Sequence, residues 1–190
     1  MKTAAAKAET DICCTSANAE KILSSIPAER EVLLLPDRNL GRNIAARLGR
    51  KIEVWPGCCP VHDRVTAAAA RAAREAHPEA DFTVHLECPP EVAALADGAM
   101  STGGMLRRAK ESAKTEFVVG TEIGIFHRLA KENPGKRFYP LDPAPVCADM
   151  KKITVETLLA ALRDLSGEVV LDRELADRAR RPIVKMLEIS

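Results

Sequence analysis

His85 and Glu87 are two residues apart at the end of a short β-branched run. In extended chain that spacing puts both side chains on one face. An imidazole with an ordinary pKa near 6.5 beside a carboxylate suits a proton-transfer pair. It equally suits two metal ligands, or a plain surface pair at a strand end. Pro89 and Pro90 follow and stiffen the turn. The chain also has six cysteines, Cys13, Cys14, Cys58, Cys59, Cys88 and Cys147, with no C-x-x-C spacing. That argues against zinc knuckles and thioredoxin-type redox pairs. The adjacent pairs Cys13-Cys14 and Cys58-Cys59 each offer about one thiolate to a given site. Cys59, Cys88 and Cys147 are spaced so that they could converge on an iron–sulfur cluster; free cysteines are also ordinary core residues, which suits Cys13 and Cys14 in a strand best. Ser101-Thr-Gly-Gly104 precedes a helical stretch, and Thr15-Ser-Ala-Asn18 precedes another. Hydroxyls and free N–H groups at a helix start can take a phosphate or carboxylate. The same residues also serve as plain caps, worth about 1 kcal/mol each.

These residues fall at the ends of predicted strands. A β-branched run, a polar or Gly/Pro tip and a helical stretch recur along the chain. Strands are expected at 31–35, 51–55, 82–85, 117–119 and 137–139, with helices at 40–48, 67–76, 91–97, 105–112 and 124–132. Leu40, Ile44, Ala45 and Leu48 have helical spacing, and Gly49 stops that helix. Such alternation predicts an α/β fold of right-handed β-α-β units with parallel sheets, whose ligands lie off the carboxyl ends of the strands. Two further helices close the chain, with caps expected at Thr154 and Asp172 and a bend or interruption at Pro182. A boundary near residue 63 divides the chain into domains 1–62 and 63–190. The chain opens directly in helix-forming residues, with no strand ahead of them, as if in mid-unit.

Composition narrows the function. The 28 Lys and Arg against 27 Asp and Glu give a net charge of +1, which excludes an electrostatically driven nucleic-acid binder. With 46% hydrophobic and 29% charged residues the 190-residue chain is too apolar for disorder and long enough for a packed core. No apolar run approaches the roughly 18 residues of a membrane span. The basic start lacks the apolar stretch of a signal peptide, so a cytoplasmic location with reduced thiols is expected.

The strand-end motifs together resemble the quinolinate synthase family, an iron–sulfur enzyme family of de novo NAD biosynthesis. The resemblance rests on Ala8-Glu-Thr-Asp-Ile-Cys-Cys-Thr-Ser-Ala-Asn-Ala19, Leu35-Pro-Asp-Arg-Asn-Leu-Gly-Arg42, Trp55-Pro-Gly-Cys-Cys-Pro-Val-His62 and His85-Leu-Glu-Cys-Pro-Pro-Glu91. Ser101-Thr-Gly103, Glu116-Phe-Val-Val-Gly-Thr-Glu122, His127-Arg-Leu129 and the stretch from Cys147 to Ile153 continue it in the family's order. It implies three-layer α/β/α domains in a pseudo-threefold, three-domain architecture, with a [4Fe-4S] cluster held by one cysteine from each domain. The open iron acts as a Lewis acid while iminoaspartate and dihydroxyacetone phosphate condense to quinolinate. By position the resemblance makes Cys59 and Cys147 cluster ligands, His85 and Glu87 catalytic, and Ser16, Ser101 and Thr102 holders of substrate carboxylate or phosphate.

The resemblance covers the family's second and third domains, so the first domain, with one cluster cysteine and part of the substrate site, is expected to be missing from this chain. Activity is then expected to need that domain, either supplied by a separate chain or lost from this sequence; no nucleic-acid or membrane partner is expected. A non-catalytic α/β module binding a carboxylate or phosphate ligand, or a partner chain, is the alternative. A zinc protein, needing four nearby N or S ligands, is a third. Surfaces facing a missing domain would expose a sheet edge and an apolar patch, so the isolated chain is expected to self-associate.

Overall fold

A computed structural model describes residues 3–141 and 143–189. In chain order the elements are α1 (Ala4–Ala8), α2 (Ala19–Ser24), β1 (Leu33–Leu34), α3 (Arg38–Leu48), β2 (Glu53–Val54), α4 (Ala67–Ala76) and β3 (Asp81–His85). They continue with α5 (Pro90–Ala93), β4 (Gly98–Met100), α6 (Thr102–Glu111), β5 (Glu116–Gly120), α7 (Ile125–Glu132), β6 (Arg137–Pro140), a 3-10 turn at Met150–Lys152, α8 (Val155–Asp164) and α9 (Arg173–Ile189). The fold is α/β, with parallel pairing throughout the described sheets. The chain divides into two compact units: residues 14–146, and residues 3–13 with 147–188.

In the larger unit one sheet has the order β1-β2 and the other β4-β3-β5-β6. Successive side chains of β5 enter opposite cores, as a period of two requires. Val118 joins Leu34, Ile44, Phe82, Val84 and Val92, while Phe117 and Val119 join Met105, Ala109 and Leu129. The sheet is therefore apolar on both faces, which is why β3 and β5 read as continuous hydrophobic runs instead of alternating ones.

Helix α3 forms where its spacing predicts. Asp37 caps it by accepting from Leu40 N at 2.8 Å, and Gly49 closes it at φ 58°. Its apolar stripe, Leu40 and Ile44, enters the core. Two expectations need correction. The helix expected over 91–97 is only the short α5, because Asp97 is drawn into the sheet: its N–H donates to Phe82 O and its carboxylate accepts from Phe82 N. The strand expected at Cys13 and Cys14 does not form; Cys13 is nonetheless buried.

In the smaller unit, Cys13 N donates to Pro182 O at 3.0 Å and Arg178 pairs with Glu9. Thr154 caps α8 in a reciprocal capping box with Thr157, and Asp172 accepts from Leu175 N at the start of α9. Pro182 does not interrupt α9, which continues through it to Ile189. Its missing N–H removes only the one bond to the carbonyl four residues earlier. Among the described residues no helix is long and apolar enough to cross a membrane.

Candidate functional site

The carboxyl ends of the strands in the larger unit carry the reactive side chains. Beyond β2 the loop reaches Cys59 and His62; beyond β3 come His85, its last residue, and Glu87; beyond β5 comes Thr121. Their functional atoms converge. The ligating atoms of Cys59, His62 and Glu87 all lie within 4.8 Å of one another. His62 Nδ1 lies 3.1 Å from Glu87 Oε2, and its Nε2 lies 2.9 Å from Thr121 Oγ1. The His62 and His85 rings stack at 4.2 Å and 16°. His85 Nδ1 accepts the Glu87 N–H at 3.2 Å, so a neutral His85 carries its ring proton on Nε2.

Electrostatics separates the two histidines. Burial opposes charge on His62, but hydrogen bonds to Cys59 and Glu87 outweigh it and raise the pKa to about 9. Burial and the adjacent His62 charge push His85 down to about 4, against some attraction from Glu87. At neutral pH His62 is an imidazolium and His85 a neutral ring. Burial would raise Glu87, yet the His62 hydrogen bond and the two histidines keep it below the ordinary carboxylate range. Cys59 behaves alike: burial opposes ionisation, and hydrogen bonds from His62 overcome it and lower the thiol. The site thus sets the His62 imidazolium beside the Glu87 carboxylate and beside a Cys59 thiol whose ionisation it favours.

The positions of these groups are set from α3. Asp37 Oδ2 accepts Cys59 N at 2.6 Å while its other oxygen caps the helix. Arg38 N–H donates to Gly57 O at 2.8 Å, and its guanidinium grips both oxygens of Asp63. A Cβ on Gly57 would fall 2.5 Å from Pro36 O, so only glycine lets that loop lie so close to the helix entry. Asn39 Nδ2 donates to Asp63 Oδ1 at 2.8 Å and to Glu87 O at 3.1 Å. One turn on, Asn43 Nδ2 donates to Leu86 O and Cys88 O. The first turns of α3 therefore hold the Cys59 loop and the Glu87 loop together.

The residues expected from the sequence are distributed unevenly. Cys59, His85 and Glu87 meet in this group. Ser101 directly follows Met100, the register partner of His85, and caps α6 by accepting Gly104 N at 3.2 Å; Thr102 opens that helix and is exposed. Ser16 sits half-buried in a turn that Asn18 closes by accepting from Thr15 N and Thr15 Oγ1. Cys147 belongs to the smaller unit and is half-buried.

A half-exposed thiol held toward the thiolate, as at Cys59, fits an iron–sulfur ligand. Cys88 is fully buried, its sulfur lies 3.7 Å from Gly120 O, and burial raises its pKa to about 12. His62, Thr121, Asp37 and Asn39 escape the reading by motif. Only His62 leaves a signal, the Cys-x-x-His spacing from Cys59 to His62.

An α/β protein with a cysteine, histidine and carboxylate cluster at its strand tips is the class defined by this geometry. Comparison with known sequences gives the family. The family described as NadA, Quinolinate synthetase A protein, matches residues 2–188, and the chain belongs to it. A quinolinate synthase of Methanoregula boonei is 48% identical over 187 residues, covering 98% of this chain and 62% of that protein. One from Desulforudis audaxviator is 42% identical with the same two coverages. Quinolinate synthase 2 of Methanosarcina acetivorans is 39% identical over 98% of this chain and 60% of its own length. The chain thus spans less than two thirds of these relatives.

Proposed function

We propose that this chain carries the second and third α/β domains of a quinolinate synthase, joining iminoaspartate to dihydroxyacetone phosphate in de novo NAD biosynthesis. The observation that carries the reading is the meeting of Cys59, His62, His85 and Glu87 at the strand tips of a chain belonging to this family. Cys59 is assigned as one thiolate ligand of a [4Fe-4S] cluster. Cys147 is assigned as another on the family resemblance alone. Bound there, the cluster would supply Lewis-acid polarisation of a substrate oxygen.

The protein's own side chains supply the proton chemistry. Glu87 is ionised and stands ready to remove a proton, while the imidazolium of His62, 3.1 Å away, is the group holding a proton to give. His85 stays neutral and offers an Nε2–H donor, since its Nδ1 is occupied by the Glu87 N–H. His62 is fixed at its other end by Thr121, so its ring cannot turn away from Glu87. Ser16, Ser101 and Thr102 are assigned to the substrate carboxylate and phosphate; Ser101 and Thr102 stand at the N-terminus of α6, where backbone N–H groups favour an anion.

The test mixes this chain, after anaerobic iron–sulfur reconstitution, with a polypeptide carrying the part of the Methanoregula relative that this chain does not span. Quinolinate formed by the mixture, lowered by roughly 100-fold or more with Glu87→Gln, is the expected result. No product from the mixture, while the intact relative prepared in parallel is active, would overturn the reading.

A further inference from the structure

Asp37 is a buried carboxylate that the proposed proton chemistry does not use. It is 4% exposed and stands at the N-cap of α3. Capping alone does not call for a buried charge. Serine or asparagine caps a helix about as well as aspartate, while a carboxylate withdrawn from water must recover its hydration through hydrogen bonds. What aspartate adds is a second acceptor oxygen. One oxygen takes Leu40 N–H at 2.8 Å and starts the helix; the other takes Cys59 N–H at 2.6 Å. The pair of bonds accounts for the residue type, and the cap by itself does not.

Cys59 is held from its other side as well. Its carbonyl accepts Asp63 N–H at 2.9 Å, and the Asp63 carboxylate is gripped by Arg38 and Asn39. Arg38 N–H meanwhile donates to Gly57 O, two residues ahead of Cys59. Three consecutive residues, Asp37, Arg38 and Asn39, thus fix the backbone on both sides of one cysteine. With its N–H and C=O both tied, the Cys59 sulfur keeps only its χ1 rotation. Asp37 holds the N–H of the cysteine itself, so it has the most direct lever on that sulfur.

We propose, on the reading of Cys59 as a cluster ligand, that Asp37 is a positioning residue: acting through the Cys59 backbone N–H, its second oxygen holds the sulfur where the cluster needs it, a role separable from the helix cap. Asp37 itself touches neither cluster nor substrate. Groups that orient a metal ligand from behind are worth roughly 10- to 100-fold in metal affinity or activity.

The test compares Asp37→Ser and Asp37→Asn with the parent. Serine still caps Leu40 N–H but is too short to hold Cys59 N–H as well. Asparagine keeps the size of aspartate, yet with its oxygen on the helix it turns an N–H donor toward Cys59 N–H. Far-UV circular dichroism should be unchanged in both. Amide hydrogen exchange of the metal-free chain, resolved by residue, reads the placement. In the parent the Cys59 amide should be protected; in both variants that protection should fall roughly 10-fold or more while Ile44 and Ala45, inside α3, keep theirs.

Function is read in the reconstituted mixture with the complementary polypeptide of the Methanoregula relative. Both variants should lower kcat roughly 10- to 100-fold with KM near that of the parent, and speed iron loss to a chelator by a similar factor. They should also shift the electron paramagnetic resonance of the reduced cluster. A pure helix cap would move none of these. A Cys59 amide that exchanges freely in the parent would overturn the proposal without any variant. So would variants that match the parent in kcat, iron loss and resonance, or that lose protection in α3 together with Cys59. No product from the parent mixture would count against the proposed function, and exchange at Cys59 would still decide whether Asp37 holds that residue.

Discussion

Six thiols in one chain have different fates because their surroundings differ, and that makes them separable by reactivity. Cys59 sits beside an imidazolium that favours its thiolate; Cys88, by contrast, is fully buried and raised to about 12. Thiolate fraction and access together set the alkylation rate. Iodoacetamide at neutral pH, followed by peptide mass analysis, should therefore label Cys59 early and Cys88 only after unfolding. Histidine 62 shows what a motif cannot display. Its role depends on Glu87, 25 residues away, and on Thr121, 59 residues away. Local spacing gave His85 and Glu87 as neighbours, although Glu87 lies in the turn after β3 and not in extended chain, whereas the third partner comes from a loop placed by tertiary packing. Asn39 is the sharpest case, since an asparagine in a first helical turn reads as an ordinary polar residue. Its side chain is 2% exposed and donates to both Asp63 and Glu87. Asn39→Ala should cost about 1–3 kcal/mol in urea unfolding, from a half-buried Asp63 carboxylate and the Glu87 carbonyl losing a donor.

At the level of elements, the sequence pattern located α3, α4, β3 and β5 closely, because local periodicity and global burial agree there. Leu40 and Ile44 enter the core that the strands line, and Gly49 takes the left-handed conformation that ends α3. Agreement is poorest where a long-range bond overrides a local preference, as at Asp97. Arg74 reaches from α4 to both oxygens of Asp97, and Asp97 accepts the Phe82 N–H at the start of β3. One carboxylate thus ties a helix to two neighbouring strands. The Arg74 guanidinium, helped by the Phe82 bond and against some burial, holds its pKa below the ordinary 3.8. A depressed carboxylate contributes stability that is present above pH 3.8 and disappears as pH falls through the folded value. The Asp97 side chain is 39% exposed, so solvent screens the pair and the contribution stays modest, about 1 kcal/mol. Asp97→Asn should lower the urea midpoint at pH 7, and the difference should shrink as the pH falls below 3.8 and through the folded value.

For the molecule as a whole, the surface of the smaller unit is the unresolved energetic account. Helix α8 has the composition of a core element: Leu158, Leu159, Leu162 and Leu165 recur at helical spacing, and its capping box fixes its start. Such a stripe forms to be covered. Leu162 and Leu165 are nevertheless 72% and 80% exposed, and Val169 and Val170, just beyond, are 82% and 80%. Among the described residues of that unit there is no strand for the stripe to pack on. The relatives are longer by more than a third of their own length, and an α/β segment of that size could supply such a surface. Exposed apolar side chains of this kind favour association between copies of the chain. Light scattering of the purified chain should give a mass above that of a 20.6 kDa monomer, rising with concentration. The pair Leu159→Lys and Leu162→Lys should return it toward the monomer while leaving the far-UV circular dichroism unchanged. A monodisperse 20.6 kDa species for the parent chain would show that these leucines need no cover.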